Sequence, residues 1–62
     1  MPEIKIGDML LVEVKCYGGF YERKSVTINE TNINKYNEDD IVAIYRKRSK
    51  DSSYYDVIWK KE

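Results

Sequence analysis

The chain has 62 residues, with eleven basic and eleven acidic side chains, no histidine and a single cysteine, Cys16. A chain of this size forms one domain around a small core, so residues 1–62 are read as a single domain. The composition excludes a histidine general base, a Cys–His pair, an internal disulfide and a four-ligand Cys/His zinc site.

Small secreted domains usually rely on several disulfides, which points to a reducing compartment. Met9–Val12 is too short for the apolar segment of a secretory signal. No stretch approaches the roughly 20 apolar residues that span a bilayer. The expected location is the cytoplasm, without membrane association, where the sequon Asn29-Glu30-Thr31 would go unused. Charge is unevenly placed. Arg46, Lys47, Arg48, Lys50, Lys60 and Lys61 crowd the last third against Asp51 and Asp56, leaving a mildly acidic body.

Lys5-Ile6-Gly7-Asp8 reads as a turn. Leu10, Val12, Val14 and Cys16 then alternate with Glu13 and Lys15, the period of a half-buried strand. Tyr17-Gly18-Gly19-Phe20 is a hairpin turn, and a second strand runs to about Thr27 or Ile28. A plain Gly-Gly turn would pair Val12 with Ser25. A bulge or odd-length loop that pairs Val12 with Val26 and Leu10 with Ile28 puts four apolar residues on one face, and burial favours it.

Asn29 to Glu38 holds four asparagines, with Ile33 and Tyr36 three apart. It is read as a loop with at most one helical turn that lays those two residues on the core. Ile41-Val42-Ala43-Ile44-Tyr45 is a strand, Arg46 to Ser53 a polar link, and Tyr54 to Trp59 the last strand. The expected fold is all-β: an antiparallel meander of four to five strands rolled into a small barrel, which removes exposed edges. The expected core is Leu10, Val12, Val14, Val26, Ile28, Ile44 and Val57.

The segment Ile4-Lys5-Ile6-Gly7-Asp8-Met9-Leu10-Leu11-Val12-Glu13-Val14 resembles the opening of SH3-like small barrels, where a Gly-Asp turn leads into the first strand. The resemblance covers about eleven residues and implies an SH3-like barrel. That class serves peptide binding, RNA association and accessory subunits alike, so it implies no single function.

No constellation of residues carries chemistry. Glu38, Asp39 and Asp40 are adjacent on the chain, so they splay apart, unlike the ligands of a calcium loop. Gly18-Gly19 lacks the Lys-Ser/Thr and the helix of a phosphate loop. Cys16 is read as a small buried hydrophobe. No catalytic residue, metal or cofactor is expected, and the chain is read as non-enzymatic.

Binding residues remain. Six tyrosines are more than so small a core can take, and tyrosine offers contact area at low entropic cost. Tyr17, Tyr54 and Tyr55 are the candidate partner-binding residues of a protein-interaction, accessory or modulator module. Strands 41–45 and 55–59 are apolar on both faces. The surplus face should be covered by the 29–38 loop, by a second copy in a homodimer, or by a different protein. The alternative is a barrel binding single-stranded nucleic acid through Arg46, Lys47, Arg48, Lys50, Lys60 and Lys61, with Tyr54 and Tyr55 stacking on bases. Zero net charge speaks against it. A composition heavy in Lys, Ile, Asn and Tyr fits a low-GC bacterium or its phage, where a modulator of a host protein would be a natural role.

Overall fold

Two glycines set the first hairpin. Gly18 and Gly19 lie at φ of 88° and 85°, left-handed values that an L side chain resists. The chain reverses across Tyr17–Gly19: the Gly19 N–H donates to the Cys16 carbonyl at 3.2 Å, and the Cys16 N–H to the Phe20 carbonyl at 2.6 Å. The computed structural model describes residues 1–62 and contains four strands: β1 (Met9–Lys15), β2 (Tyr21–Thr27), β3 (Ile41–Lys47) and β4 (Tyr55–Lys60). The expected odd-length loop is present, but it shifts the register the other way. Leu10 faces Val26 and Val12 faces Lys24. Both registers keep Leu10, Val12 and Val26 on the same face, so the predicted inner face of β1 stands.

The sheet is fully antiparallel, in the order β2-β1-β3-β4. It is not a meander, because β1 is flanked by both β2 and β3. Each of these is antiparallel to β1, so β2 and β3 run the same way, and a connection between such strands must cross the sheet. Residues 28–40 make that crossing. Ile33 and Tyr36 pack against the buried cluster of Leu10, Val12, Ile28, Ile41 and Ile44. The asparagines hold the crossing in shape. The Asn29 side-chain oxygen accepts from the Thr31 and Asn32 N–H groups at 2.9 and 3.1 Å, and the Asn32 side-chain oxygen accepts from the Asn29 N–H at 2.7 Å. The one 3-10 turn lies at Glu38–Asp40, where the segment expected to carry a helical turn ends.

Two register shifts rearrange the inner face. Leu11 pairs with Ala43 but Val12 with Ile41, leaving Val42 as an extra residue on β3. A bulge of this kind reverses side-chain alternation, so Ile41 and Ile44 both point inward. Between β3 and β4, Ile44 pairs with Trp59 and Tyr45 with Val57, which makes Ile58 the extra residue on β4. Trp59 therefore joins the core face. Val57 falls on the other face and is 56% exposed, so it does not belong to the core. Val14 and Val26 are only partly buried at its margin.

The sheet is open, which overturns the SH3-like barrel. Edge strands β2 and β4 do not pair. The radius of gyration is 12.1 Å, against about 10.6 Å for a compact chain of this length. The accessible surface is 4975 Å², against about 4,200 Å² from size scaling. The cause lies in β2, whose inward row is Glu22, Lys24 and Val26. Closing β2 onto β4 would bury Glu22 and Lys24, neither of which is held in a salt bridge. The free edges are blunted instead, β2 by Glu22, Arg23 and Lys24, and β4 by its bulge.

Candidate functional site

Residues directly opposite one another in a sheet share a face, so the ladders define what the uncovered face displays. One row crosses all four strands as Thr27, Met9, Tyr45 and Val57, and the next as Ser25, Leu11, Ala43 and Lys60. Met9, Leu11 and Tyr45 are half-buried, Val57 is exposed, and only the small Ala43 is shielded. The centre of this face is thus apolar and accessible. Around it stand Lys15, Arg23, Lys47 and Lys60 against a single acid, Glu13, which pairs with Arg23 at 3.5 Å. The opposite face is balanced, with Asp8, Glu22 and Asp56 against Lys24, Arg46 and Arg48. A chain of zero net charge therefore carries a basic face.

The sequence-predicted tyrosines do not form one site. Tyr17 is fully exposed at the tip of the β1–β2 hairpin. Tyr54 (72% exposed) precedes β4, which the half-buried Tyr55 begins. Strands β1 and β4 both run antiparallel to β3, so they begin at the same end, and Tyr17 lies at the other. Tyr55 faces Lys47 across the β3–β4 ladder and Tyr21 faces Lys15 across the β1–β2 ladder, two corners of the open face.

The basic set divides likewise. Arg48 is tied to Asp56 at 3.0 Å. Lys60 and Lys61 lie at the far end, where the Lys61 N–H donates to the Val42 carbonyl and its ammonium to the Asp39 carbonyl at 2.8 Å. Glu38, Asp39 and Asp40 are exposed there. No group of three or more carboxylates or thiols gathers to hold a metal ion.

Arg46 has a structural partner. Its Nε and Nη2 donate to the two carboxylate oxygens of Asp8, each at 2.9 Å, and Nη2 also donates to the Glu3 carbonyl. Asp8 is the one buried charged residue, at 2% exposure. Burial alone would raise its pKa, but the Arg46 hydrogen bonds and the Lys5 N–H at 2.9 Å outweigh burial and hold it below the ordinary carboxylate value. This pair fastens the N-terminal turn to the end of β3. Between them opens a pocket of about 390 Å³, lined by Lys5, Ile6, Gly7, Asp8, Arg46, Lys47, Ser49 and Lys50.

Cys16 is half-buried rather than buried, because it lies past the dry end of the core face. Its Sγ is 3.4 Å from the Glu22 carboxylate, and that hydrogen bond pushes the thiol pKa up.

The sequence reading did not single out Met9, Leu11, Lys15 or Lys5. The available signal was Met9 and Leu11 themselves, apolar residues alternating with Leu10 and Val12, which mark β1 as apolar on both faces. The chain matches no protein-family model, no curated protein and no solved structure. No helix is long and apolar enough to cross a membrane.

Proposed function

We propose that this domain is a non-enzymatic binding module that docks a partner protein on the open face of its sheet. One observation carries the reading: an accessible apolar centre of Met9, Leu11, Tyr45 and Val57 rimmed by Lys15, Arg23, Lys47 and Lys60. Apolar centres with polar rims are the anatomy of protein interfaces. The rim sets the partner's chemistry. Four cations against one acid match an apolar patch ringed by carboxylates and oppose a second copy of the same face, since like charges would meet.

Base stacking on the same face is the second reading, favoured by Tyr55 beside Lys47 and Tyr21 beside Lys15. The aliphatic residues at the centre favour protein. A photocrosslinking residue at Val57, compared with one at Lys24 on the opposite face, tests the proposal in cells that make the protein. The expected result is a protein adduct from position 57 alone, lost when Lys47→Glu and Lys60→Glu are combined. A nuclease-sensitive adduct would transfer the face to nucleic acid. An adduct of twice the chain's mass would make it a homodimer surface, and equal adducts from both positions would remove it as a site.

A further inference from the structure

We infer that the pocket between the N-terminal turn and the β3–β4 connection is a binding site for a small phosphate-bearing anion, adjoining the open face only at Lys47. Four of its eight lining residues, Lys5, Arg46, Lys47 and Lys50, are cationic, and one, Asp8, is anionic. Lys5, Lys47 and Lys50 form no ion pair, because the three salt bridges of the chain are Arg23–Glu13, Arg46–Asp8 and Arg48–Asp56. Asp8 accepts from Arg46 and from the Lys5 N–H, and no lysine ammonium is bonded to it. Polar capacity is also unused here. The Ile6, Ser49 and Lys50 N–H groups and Arg46 Nη1 have no partner within the protein.

The surplus of three positive charges suits a di- or trivalent phosphate group better than a single carboxylate. Ammonium groups grip phosphate as point charges that need no fixed fork geometry. The site is local. A single strand would need a basic track, yet Arg48 is committed to Asp56, and Lys60 and Lys61 lie at the other end of the sheet. The Asp8–Arg46 pair gives the pocket a fixed wall, joining segments 38 residues apart in sequence.

Inorganic pyrophosphate, titrated at constant ionic strength against ¹⁵N-labelled protein, is the probe. Saturable amide shifts are expected at Ile6, Gly7, Ser49 and Lys50, with a dissociation constant in the millimolar range or below. Lys5→Gln and Lys50→Gln should each weaken binding by about tenfold or more, the loss of one charge-assisted hydrogen bond. Lys24→Gln, on β2 and outside the pocket, should leave it unchanged. Adenosine diphosphate in place of pyrophosphate separates sources: equal or tighter binding makes the ligand a nucleotide, and weaker binding makes it the free anion. Shifts that rise linearly without saturation, or that Lys24→Gln reduces as much as Lys5→Gln, would overturn the site. So would tighter binding of an unphosphorylated oligonucleotide, with shifts centred on Tyr54 and Tyr55.

Discussion

The two faces of the sheet are built from similar residues but meet different surroundings. Leu10, Val12 and Ile44 on one face are fully buried under the 28–40 crossing, with Ile33 and Tyr36 over them. Leu11 and Tyr45, their sequence neighbours, remain half-exposed on the other. What separates them is topology, since a connection between two strands that run the same way can cross only one face. The uncovered face remains for a partner.

Truncation should break or sharpen this contrast most strongly. Leu10→Ala or Ile44→Ala removes methyl groups from a dry cluster and should cost about 3 kcal/mol in urea denaturation. Val57→Ala should cost less than ~0.5 kcal/mol, as exposed sites do. A cost at Val57 near that of Ile44, appearing only at high protein concentration, would show that the open face is closed by self-association.

How much of this contrast was legible follows from what a period of two encodes. Leu10, Val12 and Val14, with Glu13 and Lys15 between and after them, announced β1, and the four strands lie close to where the pattern put them. Which side chain of β3 or β4 points inward was hidden, because one extra residue at Val42 and another at Ile58 reverses the parity. That error placed Val57 in the core and left Ile41 out of it. The pairing of β1 with β3 and the Asp8–Arg46 bond join residues far apart in sequence, which no local pattern reports. Closure into a barrel would remove the edges, but it would also bury Glu22 and Lys24 of β2. Of the candidate tyrosines, Tyr17 and Tyr54 are exposed and Tyr55 is half-buried. Their separation follows from strand order, which composition does not contain.

The next effect concerns Asp8, the one buried charged residue. Replacing Asp8 with alanine leaves the Lys5 N–H and the Arg46 guanidinium without their acceptor, and should cost about 2 kcal/mol. The acid limb should report the same pair. Because hydrogen bonds from Arg46 and Lys5 hold the Asp8 pKa below its ordinary value, the folded state binds this proton less readily than the unfolded chain. Its contribution is fully present above about pH 4 and is lost as pH falls through the folded value. Urea midpoints measured down to about pH 3 should fall less steeply for Asp8→Asn than for the parent. Parallel pH profiles for the two proteins would show that the carboxylate is not held by Arg46.

The smallest effect marks where the covered face stops being dry. Cys16 follows Val12 and Val14 on that face, yet its thiol lies beside the carboxylate of Glu22 rather than among aliphatic side chains. The thiolate is the reacting species, and a carboxylate 3.4 Å away both accepts the S–H proton and repels the thiolate. Reaction with Ellman's reagent at mildly alkaline pH should therefore be slower in the folded protein than in denaturant, although the thiol is accessible. Packing and charge make opposite claims about Glu22→Gln. If charge governs, the substitution speeds the folded reaction while leaving the denatured rate nearly unchanged, because the carboxylate no longer opposes ionisation. If burial governs, the side chains are nearly the same size and the folded rate stays slow. An accelerated folded rate places the end of the dry core between Val12 and Cys16, and an unchanged slow rate would extend it to the hairpin.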